Sequence, residues 1–201
     1  MIIHLFGSDS YLRGKKLKSL IEAYREKYPV LDLFSVDLDE APEDWLKAKD
    51  FLNQPSMFVE TKVLVVKESS MVKEKDWLKA LKREVETKKT FVLISDATPS
   101  NKSFGFLNEP PVKAQEFPIL KNIALSRFIE DEARIRNLEF LPSAARYFID
   151  FINNQSEKSW VVIKELDRLQ FAKVSKPINL ENLKKLIEVA RGSLSYETAA
   201  R

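Results

Sequence analysis

The chain has 201 residues, 44% of them hydrophobic, which is enough apolar material for one large domain or two small ones. Its 33 Lys and Arg against 30 Asp and Glu leave a net charge of +3, too little for strong sequence-independent attraction to nucleic acid, so any DNA contact must be local. The absence of cysteine excludes thiolate catalysis, Cys-zinc sites and disulfides.

The N-terminal run Met1 to Phe6 reaches Gly7 and Ser8 with no basic region before it and no small-residue cleavage site after it, so it reads as a strand and not an export signal. No stretch approaches the roughly 20 apolar residues of a membrane helix, and the chain is expected to be soluble and cytoplasmic. A helical pattern follows over Leu12 to Tyr28, with Leu17, Leu20, Ile21 and Tyr24 on one face. Then come a strand at Leu33 to Val36, a helix at Glu43 to Leu52, a strand at Val63 to Val66, a helix at Trp77 to Val85 and a strand at Phe91 to Ile94. Ala97 to Val112, holding Pro99, Asn101, Pro110 and Pro111, reads as an irregular excursion, and a weaker strand signal lies around Gln115 to Phe117. Alternating strands and helices with continuously apolar strands predict a mostly parallel α/β sheet with right-handed crossovers, over about residues 1–118.

After Pro118 the strand signals stop and four helical patterns succeed one another: Ile123 to Arg136, Pro142 to Ile152, Glu157 to Leu169 and Leu180 to Ala190. Pro142 suits a first helical turn, and Ser156 and Asn179 are candidate caps. A small helical domain is expected over residues 119–190, with 191–201 as a tail.

Several stretches invite chemistry. Gly7 to Lys16 joins a strand to a helix and contains Gly14-Lys15, but a phosphate loop needs four residues between its first glycine and Gly-Lys, then Ser or Thr for magnesium. Six residues intervene here and Lys16 holds the metal-ligand place. Nor does Val63 to Val66 end in an acidic pair, since Lys67 and Glu68 follow. The better reading is a tight turn capped by Ser8 or Asp9, and the chain is not expected to be an enzyme. His4, the single histidine, lies inside the first strand with no relay motif beside it in sequence and reads as structural. The acidic stretch Asp37, Asp39, Glu40, Glu43 and Asp44 lacks the spacing of a calcium loop and reads as a turn whose last members cap the next helix. No catalytic residue, cofactor or metal site emerges. Met57 and Phe58 stand apart, two large apolar side chains in a loop-like stretch just before a buried strand: either they fold back as core or they anchor a partner protein.

Taken in order, these residues resemble the delta subunit of the bacterial DNA polymerase III clamp loader. Phe6-Gly7-Ser8-Asp9-Ser10-Tyr11-Leu12 is similar to that family's opening strand and Gly-x-Asp-x-Tyr-Leu signature, where an ancestral phosphate loop has been lost. Ser56-Met57-Phe58 before Lys62 to Val66 is similar to its Ser-Leu-Phe segment. Phe128-Ile129, Asn137-Leu138-Glu139-Phe140 and Glu165-Leu166-Asp167-Arg168-Leu169 resemble its lid helices. The resemblance runs over about residues 3–187. Thr61 departs from a position commonly basic, Asn153 to Ser156 replace a glycine-containing turn, and the family's collar domain is expected to be absent after the lid.

The resemblance implies an AAA+ type α/β domain with a helical lid, and a subunit that binds the sliding clamp and helps open it during DNA replication. It implies that Met57 and Phe58 form the wedge entering the clamp's apolar pocket, with other loader subunits as further partners and primed DNA touched weakly or indirectly. Two other readings stay open: a degenerate nucleotide-dependent phosphotransferase using Gly7, Gly14 and Lys15, and a structural ring subunit without clamp contact.

Overall fold

The structure, a computed structural model, describes residues 1–54, 61–87, 90–99, 102–172 and 175–188. The chain divides into two compact units, Met1–Pro118 and the residues from Ile119 onward.

In the first unit, five strands, β1 (Ile2–Phe6), β2 (Leu31–Asp37), β3 (Thr61–Lys67), β4 (Thr90–Asp96) and β5 (Lys113–Glu116), form one sheet in the order β2-β3-β4-β1-β5. Every pairing is parallel. Because side chains alternate across a strand, β3 feeds both faces: Leu64 and Val66 pack on one, Val63 and Val65 on the other. Helix α1 (Ser10–Lys27) covers the second face with Leu17, packed with Leu5 and Leu93. Helices α2 (Trp45–Asn53) and α3 (Lys75–Glu84) cover the first with Ala48, Leu52, Trp77 and Leu81. This is the three-layer AAA+ like α/β fold, and its central strands read as unbroken apolar runs because both faces are dry.

The irregular excursion proves to be part of the core. A 3-10 stretch, Lys102–Asn108, lays fully buried Leu107 and nearly buried Phe104 against the α2 and α3 face. Strand β5 is exposed along its whole length, which is why its sequence carries so weak a pattern.

Among the described residues, the regular structure of the second unit is all helical apart from an isolated bridge between Phe140 and Ile178. Its helices are α4 (Asn122–Ile135), α5 (Pro142–Asn153), α6 (Lys158–Phe171) and α7 (residues 180–188). Their apolar stripes meet around Leu125, Phe148, Ile152, Leu166 and Leu183, all fully buried. Arg136 ties the bundle together, donating to Glu132 Oε2 at 2.7 Å and to Asp167 Oδ1 on α6 at 2.6 Å. Pro142 opens α5, and the Asn179 side chain caps α7 by accepting from the Asn182 amide at 2.8 Å. Two expected caps are not made. Ser156 lies one residue outside the Glu157 cap position of α6, and the Asp44 carboxylate turns to Lys47 Nζ at 2.6 Å instead of to the free amides of α2.

Candidate functional site

In a parallel sheet of this kind, ligands bind where the carboxyl ends of the strands meet the loops that follow. Gly7, Glu68 and the Asp96 to Ala97 step lie at that end, after β1, β3 and β4. The turn from β1 into α1 is only three residues long, and the chain itself fills it. Asp9, 5% exposed, accepts from the Leu12 amide at 3.0 Å, so a carboxylate already sits where a phosphate oxygen would. The Asp9 amide is committed to the Phe117 carbonyl at 2.9 Å. Arg13 donates to the Gly7 carbonyl at 2.9 Å and lies 3.6 Å from Glu68 Oε1.

The two glycines of this turn differ in kind. Gly7 holds φ +125°, and a Cβ there would fall 2.4 Å from the Phe117 carbonyl oxygen, so the residue is required by close approach to the chain after β5. A side chain at Gly14 would meet open space, so nothing in the packing demands a glycine there. The carboxylate of Glu68, at φ 54°, receives the Ala97 amide at 2.9 and 3.0 Å; burial, more than any neighbouring charge, holds it above the usual carboxylate range.

Behind this turn lies a buried polar cluster that pattern reading missed. Fully buried Asp96 accepts from the Ser69 amide at 2.7 Å and from Ser69 Oγ at 3.0 Å. His4, equally buried, faces Asp96 Oδ2 with Nε2 at 3.3 Å, off the line of a good hydrogen bond, and Asn108 Oδ1 with Nδ1 at 2.9 Å. Trp77 Nε1 donates to the Ser69 carbonyl at 3.3 Å. The three residue types of a hydrolytic relay are therefore together, but in the wrong order: a relay needs histidine between serine and aspartate, and here aspartate stands between them. Ser69 is also fully buried, so no substrate carbonyl can reach its Oγ. The cluster is a brace joining β1, β4 and the turn after β3. Among the described residues, no group of three or more His, Asp or Glu is placed to hold a metal ion, and no helix is long and apolar enough to cross a membrane.

The other candidate place is the amino end of β3. Met57 and Phe58 lie outside the described residues, which end at Gln54 and resume at Thr61. Helix α2 ends with Gln54, whose amide donates to the Asp50 carbonyl at 2.9 Å, and the side chain of Asn53 is held by Arg83 Nη2 of α3 at 2.7 Å. Lys62, the second residue of β3 and only 6% exposed, runs back under the helix end to the carbonyls of Phe51 and Gln54, the latter at 2.7 Å. Its ammonium lies 4.4 Å from the Phe51 ring centroid. Desolvation pushes this lysine below its ordinary range. Thr61 is buried and registers with Leu31 of β2.

No protein-family model and no curated protein matches the sequence. Among solved structures, the fold is similar to the Bacillus subtilis DNA clamp loader delta protein (YqeN), with a TM-score of 0.53 and 19% identity over 92% of this chain and 57% of that one. It is also similar to the Thermotoga maritima RuvB Holliday junction branch migration motor, with a TM-score of 0.58 and 15% identity over 93% of this chain and 61% of that one. The chain thus spans about three-fifths of the length of these solved structures, and at such identities the likeness establishes a shared fold. An AAA+ like parallel α/β domain followed by a small helical one is the architecture of this protein.

Proposed function

We propose that this chain is a non-catalytic clamp-loader subunit that grips a sliding clamp through Met57 and Phe58 and helps open it. One observation carries the reading: the turn that would cradle phosphates in an α/β domain of this type is filled by the Asp9 carboxylate and by Arg13 tied to Gly7 and Glu68. Such a domain has no place for a nucleotide at that turn, which favours a binding role over the phosphotransferase reading. The fold shared with a clamp loader delta protein and the Ser56-Met57-Phe58 segment before β3 supply the choice of partner.

The mechanism is differential affinity. Methionine adapts to an irregular pocket and phenylalanine supplies rigid apolar area, so the pair binds whichever clamp conformation best buries both. Opening follows only to the extent that the open or strained clamp is bound more tightly than the closed one. Other loader subunits are the further partners, DNA contact is weak or indirect, and no cofactor takes part.

The test is clamp affinity by surface plasmon resonance with the sliding clamp of the source organism. Burying both side chains stabilises the complex by roughly 3 to 6 kcal/mol, so Met57→Ala with Phe58→Ala should weaken binding a hundredfold or more. Retention of affinity within about threefold, a difference under about 1 kcal/mol, sinks the assignment.

A further inference from the structure

We propose that the cavity between α3 and the 3-10 stretch Lys102–Asn108 docks an acidic segment of a partner protein, a contact independent of the one assigned to Met57 and Phe58. The cavity holds about 610 Å³, within the roughly 300 to 1,000 Å³ of ordinary ligand clefts. Its walls come from the chain that follows β3 and the chain that follows β4. Half-buried Leu78 and nearly buried Phe104 supply its apolar lining. Lys73, Lys75 and Lys102 line it too, with Glu74 as the one acid, so three positive charges less one negative leave a net +2. Among the described residues, none of these three lysines makes an ion pair or a side-chain hydrogen bond. Elsewhere the chain answers its surface lysines: Lys47 pairs with Asp44, Lys67 with Asp37 and Lys185 with Glu181. Asp76, next to Lys75 in sequence, lies instead 3.9 Å from Lys49 and 3.6 Å from Lys79.

The lining selects the occupant by its chemistry. A segment rich in carboxylates answers the three ammonium groups, and one large apolar side chain of the same segment leaves water by packing on Leu78. A small inorganic anion would gain nothing from the apolar lining. A nucleic acid strand needs cations along several successive phosphates and open ring faces on which its bases can stack. Neither is present among the described residues of this cavity and its neighbour. Phe104 is only 2% exposed. The cavity toward the other end of α3, about 420 Å³, sets Glu86 and Glu109 against Lys82 and Arg83, and Arg83 is already held by Asn53 Oδ1 at 2.7 Å. The unbalanced positive charge is therefore confined to one cavity, which suits a short acidic stretch of polypeptide.

Nuclear magnetic resonance titration of the full, isotopically labelled chain with the peptide acetyl-Glu-Glu-Phe-Glu-Glu-amide tests the site. At about 50 mM salt, saturable shifts are expected at residues 73–78 and 102–104, with a dissociation constant below about 0.3 mM. Lys73→Gln, Lys75→Gln and Lys102→Gln together should weaken binding about tenfold, the sum of three partly screened charge contacts. All three side chains are exposed, so the fold should tolerate the change. Lys47→Gln, Lys67→Gln and Lys185→Gln together remove the same net charge from lysines that are already paired, and should alter affinity by less than about twofold. Replacing the peptide's phenylalanine by glycine should also weaken binding about tenfold. Absence of shifts at residues 73–78 and 102–104 with about 1 mM peptide overturns the proposal. Equal losses in the two triple variants do so as well, since net charge alone would then attract the peptide, and so does an unchanged affinity for the glycine peptide. Tighter binding of an oligothymidylate of about 12 nucleotides than of the peptide, lost with Lys73, Lys75 and Lys102, would assign the cavity to nucleic acid and overturn it too.

Discussion

Replacing Asp96 by alanine tests whether the buried cluster behind the β1 turn is a structural brace. The carboxylate receives two hydrogen bonds from Ser69, at 2.7 Å from the amide and 3.0 Å from the hydroxyl, and faces His4 Nε2 at 3.3 Å, all without exposure to water. Hydrogen bonds to a charged group contribute about 1.5 to 3 kcal/mol each, and removal strands a buried backbone N–H as well as the Ser69 hydroxyl. A part of that loss is offset because the buried charge itself disappears. The expected net cost is about 3 to 5 kcal/mol, a large share of the 5 to 15 kcal/mol that holds a domain together. Urea unfolding followed by circular dichroism measures it, with an unchanged slope showing that the native state survives. Asp96→Asn, which keeps an acceptor for the Ser69 amide, should lose roughly half as much. A cost under about 1 kcal/mol for Asp96→Ala would refute the brace, because the Ser69 amide and hydroxyl would then be finding other satisfaction.

The remaining predictions concern the turn, the acid beside it and the helical unit. Gly7→Ala combines left-handed strain at φ +125° with a Cβ 2.4 Å from a backbone oxygen, and should cost about 3 kcal/mol or more in a thermal melt; tolerance would mean the β5 junction slides freely. Glu68, raised chiefly by burial, holds its proton more tightly folded than unfolded, so stability falls as pH rises from its ordinary value near 4.5 through its raised folded value. Glu68→Gln should flatten that part of the stability curve, as acid titration of the unfolding midpoint checks. Phe148→Ala empties a fully buried ring site in the helical unit and should cost about 3 to 5 kcal/mol. Hydrogen exchange should then show amides of residues 119–172 opening before those of β3 and β4.

What the sequence made legible follows from where each pattern has its cause. Strands β3 and β4 are buried on both faces, so their continuous apolar runs announce them, whereas β5 lies open at an edge and barely registers. Helices α4 to α6 declare themselves by one apolar stripe each, and the division near Pro118 by the end of the strand signals. The 3-10 stretch with Phe104 and Leu107 escaped because its apolar residues follow neither a two-residue nor a 3.6-residue period. The Ser69, Asp96 and His4 cluster escaped for a different reason. Residues far apart in sequence meet only through the parallel register that sets His4 beside Ile94 and Phe6 beside Asp96.

The same limit applies at both ends of the sheet. Absence of a phosphate loop and a cap from Ser8 or Asp9 could both be read from the sequence, but that Arg13 closes on Gly7 and Glu68 is a fact of geometry. At the amino end of β3, hydropathy marks Lys62 as a surface residue, yet it is buried because a helix terminus stands above it with carbonyls to satisfy. Both ends obey one rule, that a helix terminus demands a charge of the right sign. At the start of α1 the chain answers with Asp9, an anion of its own, and so occupies the seat a phosphate would take. At the end of α2 it answers with Lys62, which reaches from the neighbouring strand to the carbonyls of Phe51 and Gln54. At each end a charged side chain satisfies backbone groups that the helix itself leaves open.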